Sequence, residues 1–262
     1  MNTLKIARYQ LRDIVRSRWI VFYGVFFLVI TDALFRFGGA GERVLLSLMN
    51  VVLIAVPLVA IVLGAMYVYA SREFTELLLA QPVRRRSLFF GLFLGLSLPM
   101  CVALVLGIGL PFLYHGALGA SQVGPTAMLL GTGVLLTLVF TALAFLVALG
   151  TEDRTRGLGA CLALWLFFTV VFDGLVLLAI YLFSAYPLEQ PVIALSMLNP
   201  VDLGRILLLL NFEISALMGF TGAVFERFFG SGLGQSLAIG ALLLWVSVPF
   251  ALGLRSFVRK DF

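Results

Sequence analysis

The sequence predicts an all-α integral membrane protein with six transmembrane helices, and three observations carry that expectation. Of its 262 residues, 62% are apolar and only 12% charged, with a mean hydropathy of +1.12. Water-soluble domains run near about 45–50% apolar and ~25% charged, so so much apolar surface has no place to hide in water. The apolar residues also fall in unbroken runs of the length that crosses a bilayer as a helix, about 20 residues. They lack the two-residue alternation of a barrel strand. Finally, lysine and arginine gather at the ends of alternate spans, which sets a single orientation.

The elements follow in chain order. In "LKIARYQLRDIVRSRW", Lys5, Arg8, Arg12 and Arg16 step along one helical face while Leu4, Ala7, Leu11 and Ile14 step along another. That pattern predicts an interfacial amphipathic helix over residues 1–18, leading into a permanent span rather than a cleaved signal. Spans are predicted over 19–35, 44–70, 88–114, 125–150, 158–183 and 235–254. The tail, the N-terminal segment and the loops after spans two and four hold fourteen of the basic residues, against four (Arg36, Arg43, Arg205 and Arg227) on the other side. Both termini are therefore expected in the cytoplasm. Residues 184–234 are apolar enough to tempt a seventh span. An odd count would move "RSFVRKDF" outside, and Asp202, Arg205, Glu213, Glu226 and Arg227 interrupt the run. One or two short helices lying on, or dipping into, the outer face are expected there instead. The whole chain, 1–262, reads as a single transmembrane domain.

Several chemistries are excluded. A phosphate-binding P-loop needs a Gly-Lys-[Ser/Thr] sequence, and the only lysines are Lys5 and Lys260, preceded by Leu4 and Arg259. Any nucleotide chemistry must sit on another chain, and no cofactor is expected on this one. His115 is the sole histidine, and Cys101 and Cys161 form no CxxC pair. Met100-Cys101 offers soft ligands within span three, but both residue types are ordinary core fillers. The basic residues flank spans and form no aromatic-interleaved patch, so nucleic acid is not an expected partner.

Two features remain. Asp173 lies near the middle of span five, where a carboxylate is costly; it either serves function or fixes helix packing as a neutral or paired group. Asp32, with Arg36 four residues on, has the spacing of a helical ion pair, and "GLFLG" (residues 91–95) has the small-xxx-small spacing of close helix contact. The stretch 71–87 is too polar and short to span. Glu73 and Glu76 suit the positive end of a helix dipole, Phe74, Leu77 and Leu78 share a face, Pro82 stops the helix, and Arg84, Arg85 and Arg86 follow at lipid-phosphate level. Such a helix fits either a groove on a partner or the membrane surface.

With its basic N-terminal helix ending "RSRW", one hairpin of spans and then "REFTELLLAQPVRRRSLFFG", the chain resembles the ABC-2 type of ABC-transporter permease over nearly its whole length. The resemblance implies that 71–87 is the coupling helix, received by a cleft on a separate ATPase subunit. It carries that role onto Glu73, Thr75, Glu76, Leu77, Leu78, Gln81 and Pro82, with "TEDRTRG" (151–157) as a second cytoplasmic contact. Phe74 departs from the family pattern, where a small residue often precedes the threonine. The resemblance further implies two copies of the chain, two ATPase subunits binding ATP and magnesium, and residence in the bacterial inner membrane. "LNPVDLGRILLLL" (198–210) and "ISALMGFTGAVFERFFG" (214–230) resemble the outer segment of permeases from nitrous-oxide reductase maturation systems. There the implied further partner is a periplasmic β-helical protein, and the implied task is assembly of a copper–sulfur centre. An exporter of lipid, drug or polysaccharide is the alternative within the family. A secondary transporter or channel working alone is the alternative outside it, though no inverted repeat is visible.

Overall fold

The computed structural model describes residues 18–38, 41–79, 84–117, 119–183, 189–211 and 232–259, and among these every regular element is helical. They are α1 (Arg18–Gly38), α2 (Gly41–Ala70), α3 (Arg72–Leu79), α4 (Arg85–Tyr114) and α5 (Ala120–Gly150). The chain continues through α6 (Arg154–Leu166), a π-helical turn (Phe167–Val171), α7 (Phe172–Leu182), α8 (Glu189–Met197), α9 (Pro200–Asn211) and α10 (Gly232–Arg259). Six elements are long and apolar enough to cross a membrane: α1, α2, α4, α5, the continuous α6–π–α7 rod, and α10. These are spans one to six. The predicted helix over residues 1–18 lies outside the described residues apart from Arg18, which opens span one.

Several spans outlast their predicted limits. Span three begins at Arg85 rather than 88, and the Arg85 guanidinium donates to the Val258 carbonyl at 3.0 Å. That arginine caps the end of span six, where cations are favoured. Span four begins at Ala120 and carries Pro125 inside its helix. Pro57, Pro99, Pro111 and Pro249 are likewise inside spans, as membrane helices tolerate when neighbours satisfy the freed groups.

Packing between spans rests on small residues and buried rings. Span two lies against span four where Gly64 meets Ala144 and Thr141, and a Cβ at Gly64 would stand 2.6 Å from the Ala144 Cβ. Span one crosses span three at Gly24 and Gly107, where a Cβ at Gly107 would fall 2.7 Å from the Gly24 carbonyl oxygen. Gly91 and Gly95 are buried too. Phe89, Phe140 and Phe145 are fully buried in the centre, and Phe89 meets Phe145, Phe250 and Phe257 at 5.2–5.8 Å. Phe22, Leu94, Leu177 and Leu244 are exposed on the outside of the bundle.

Between spans five and six, α8 and α9 are described, and residues 184–188 and 212–231 are not. α9 does not merely lie on the surface: Val201, Leu203, Ile206, Leu207 and Leu208 are all buried. Gly204 lets it sit on span four, since a Cβ there would lie 3.1 Å from the Thr132 methyl and 3.2 Å from Leu53. The expected short helices are thus present, and one dips into the bundle.

Candidate functional site

At the α3 end of the molecule, eight residues form the helix that the sequence places after span two, from Arg72 to Leu79. Glu73 sits in its first turn, where negative charge is stabilising. The predicted apolar face divides in two. Leu78 and Thr75 are buried against the bundle, while Leu77 is 70% exposed, Phe74 40% exposed, and Glu73 and Glu76 are exposed beside them. Thr75 and Arg72 line a cleft with Val68, Phe89, Leu149 and Phe257. Of the seven residues given a coupling role, Thr75 and Leu78 therefore point inward, Glu73, Glu76 and Leu77 point outward, and Gln81 and Pro82 lie outside the described residues.

Arg72 is a residue that sequence reasoning passed over. Its guanidinium donates to the Ala148 and Thr151 carbonyls at 3.2 and 2.6 Å and to the Glu152 carbonyl at 2.8 Å. It also lies 4.6 Å over the Tyr69 ring, a cation–π distance, and the Tyr69 hydroxyl donates to the Thr151 carbonyl at 3.3 Å. These acceptors close the end of span four, whose last carbonyls have no partner within the helix. Two residues on, the Asp153 carboxylate accepts from the Thr155 and Arg156 amides at 2.7 and 3.3 Å and starts span five as its N-cap. The segment 151–157 is thus bound directly to the first residue of α3.

Asp173 resolves as a paired group. Its Oδ2 lies 2.7 Å from Arg205 Nη1 on α9, and the same nitrogen is 3.1 Å from Asp202 Oδ1. Asp173 stands nine residues before Leu182, the last residue of span five, or about 14 Å along the helix. α9 accordingly brings a cation deep beside the span. Just before Asp173 the rod contains its π turn, with the Phe172 amide donating to the Phe167 carbonyl. Such turns release carbonyls and recur at functional positions. Here the Phe168 carbonyl accepts from Asn199 Nδ2 at 2.8 Å, while Asn199 Oδ1 accepts from the Val201 amide at 3.0 Å to cap α9. Trp245 of span six donates to the Met197 carbonyl at 3.2 Å. Asn199 carried a readable signal, a helix-capping residue followed by proline at the first helical position.

Burial, joined by the nearby negative charge of Asp173, pushes the Asp202 carboxyl up to about 7, with Arg205 opposing. The folded value lies above that of an ordinary carboxylate, so the fold favours the protonated form. Its contribution to stability is fully present below about pH 4 and is lost as pH rises through about 7. Asp202→Asn should therefore shrink the difference in thermal midpoint between about pH 5 and about pH 8; an unchanged difference would remove Asp202 from the account.

At the same end of the molecule as α9, Asp32 and Arg36 form the expected pair at 2.8 Å. Asp32 also accepts from the Tyr114 hydroxyl at 2.6 Å and lies 3.0 Å from His115 Nε2, tying span one to the end of span three. Met100 is fully buried and Cys101 partly so. Among the described residues no three His, Cys, Asp or Glu side chains gather to hold a metal ion.

The family model for "ABC-2 family transporter protein" matches residues 4–262. The chain belongs to the ABC-2 transporter family. Members are permeases, the membrane subunits of ABC transporters, so this chain is a permease subunit and a multi-pass membrane protein. It is similar to the "Probable ABC transporter permease protein NosY" of Pseudomonas aeruginosa, 30% identical over 272 residues that cover 97% of both chains. It is also similar to the protein of the same name from Stutzerimonas stutzeri, 27% identical over 267 residues, covering 95% of this chain and 93% of the relative.

Proposed function

We propose that this ABC-2 permease receives a separate ATPase on α3 and converts its closure into a rearrangement of the outer segment 184–234, in the service of nitrous-oxide reductase maturation. One observation carries the coupling role: Leu77, Phe74, Glu73 and Glu76 are exposed on a short helix whose other face is fixed by Thr75 and Leu78. An amphipathic helix held on one side and open on the other suits the helix-in-groove mode of recognition. Thr75 and Leu78 then act by holding the helix in place, and Glu73, Phe74, Glu76 and Leu77 by contact. The α3 end is cytoplasmic on this reading and α8 and α9 face the periplasm, with the chain in the bacterial inner membrane. The working unit is two copies of the chain with two ATPase subunits that bind ATP and magnesium.

The maturation role rests on likeness to the two NosY permeases along nearly the full chain. A periplasmic β-helical protein is the further partner, and the firm seat of α9 on spans two, four and five gives it a surface whose position depends on the bundle. The account needs no substrate pathway: an outer segment with two arrangements, each contacted differently by the partner, is sufficient for coupling.

The test is co-purification of the tagged chain with its ATPase from native membranes in mild detergent. Removing Leu77 from a groove forfeits about 1.5–3 kcal/mol of burial, which is about tenfold or more in affinity. Glu76→Ala with Leu77→Ala should therefore lower recovered ATPase at least about tenfold while membrane insertion is unchanged. Undiminished recovery would refute docking on this face.

A further inference from the structure

We infer that Arg72 is the joint through which α3 moves spans four and five, so that both cytoplasmic loops act as one body. The inference rests on the reading of α3 as the ATPase-docking helix. Arg72 is the first residue of α3, yet its three carbonyl acceptors, Ala148, Thr151 and Glu152, all belong to the end of span four and the turn into span five. A guanidinium presents several donors in a rigid fork and stacks on aromatic faces. One side chain can therefore hold these carbonyls and the Tyr69 ring together, where a lysine ammonium would hold fewer with less directional control. Gly157, in the first turn of span five, completes the joint. A Cβ there would collide with the Tyr69 hydroxyl and stand 2.7 Å from its Cζ, so only glycine lets Tyr69 reach the Thr151 carbonyl.

The middle of the same rod is bound to α9 as well. Span five meets α9 through the Phe168 carbonyl with Asn199 and through Asp173 with Arg205. Only 11% of its most apolar stretch is buried inside the molecule, against 22% for spans one and six and 50–67% for spans two, three and four. Span five is therefore a largely exposed rod fixed by specific polar links. At its start they run through the turn that Arg72 binds. Along its middle they run through Trp165, whose indole donates to the Ile54 carbonyl of span two at 3.2 Å, and through Phe168 and Asp173. Displacement of α3 reaches the turn at 151–153 through Arg72, and span five carries it to α9. A cap that only stabilised span four would leave the nucleotide response of the outer segment intact, and this separates the two roles.

The experiment uses the complex with its ATPase in lipid nanodiscs, with Cys101 and Cys161 replaced by alanine and Leu198→Cys as reporter. Leu198 joins α8 to α9 and is 58% exposed. Its rate of reaction with a charged maleimide is measured without nucleotide and with ATP and vanadate. The parent chain should show a nucleotide-dependent change in rate. Arg72→Ala should retain the ATPase at normal ratio, continue to hydrolyse ATP and lose most of that change, with Arg72→Lys intermediate. Gly157→Ala, which keeps the Arg72 side chain and the outer face of α3 but displaces the Tyr69 ring on which Arg72 stacks, should also diminish the change and carries the test if Arg72→Ala folds poorly. An undiminished change in both variants, no change in the parent complex, or loss of the ATPase from both variants overturns the joint. Failure of the parent chain to bind an ATPase would instead refute the docking role of α3 itself.

Discussion

Gly107→Leu is expected to separate span one from span three and to cost most of the properly folded protein. A Cβ at position 107 would stand 2.7 Å from the Gly24 carbonyl oxygen and 2.9 Å from the Phe27 Cβ. The nearer neighbour is backbone and cannot rotate away, and Phe27 is itself fully buried. Relief requires the whole of span one to move outward. In lipid that loss is not recovered by a hydrophobic drive between helices, because association depends on close packing and hydrogen bonds. Overpacking of this kind typically costs about 1–3 kcal/mol and more where backbone is involved. The thermal midpoint and the monodisperse fraction after detergent extraction should both fall sharply. Gly109→Leu is the control: a Cβ there meets nothing within 4 Å, and it should behave as the parent. Equal behaviour of the two variants would contradict the crossing.

Arg205→Ala is expected to lift α9 out of the bundle. The arginine stands between two carboxylates, 2.7 Å from Asp173 and 3.1 Å from Asp202. Its loss leaves two acidic groups facing each other with no cation between them. A fully buried pair broken in this way costs about 3–5 kcal/mol. Here Arg205 and Asp173 retain 32% and 30% of their exposure, so solvent screening lowers the expected figure to about 2 kcal/mol. Proteolysis of the outer segment should accelerate, and the nucleotide response at Leu198 should disappear. Adding Asp173→Asn should restore part of both, since removing the second charge is far milder than stranding it. If Arg205→Ala leaves proteolysis unchanged, the ion pair is not what seats α9.

The architecture was legible in the sequence because membrane spans announce themselves in composition alone, and all six appear close to their expected limits. The starts of spans five and three show where that reading is coarse: apolar content marks the middle of a helix, while Asp153 and Arg85 settle those ends through hydrogen bonds. The Asp32–Arg36 pair was readable from a four-residue spacing, but Tyr114 and His115 join it from 82 and 83 residues away. Asp173 was readable as an anomaly, and its partner was not, because Arg205 looked like one of several charges interrupting an outer loop. Phe74, Leu77 and Leu78 share a face by periodicity, yet which of them the bundle covers depends on neighbours that periodicity does not describe. Arg72 was the least legible. Its acceptors are backbone carbonyls, which every residue has, so nothing in the residue types marks the place where it binds.

The measurement that bears most directly on the account is site-specific photo-cross-linking from position 77 in native membranes, with the adduct identified by mass spectrometry. The account predicts a covalent product between this chain and an ABC ATPase subunit from position 77, and none from the inward-facing position 78. A product from position 77 containing only lipid, this same chain, or a protein without a nucleotide-binding motif would contradict the coupling role of α3.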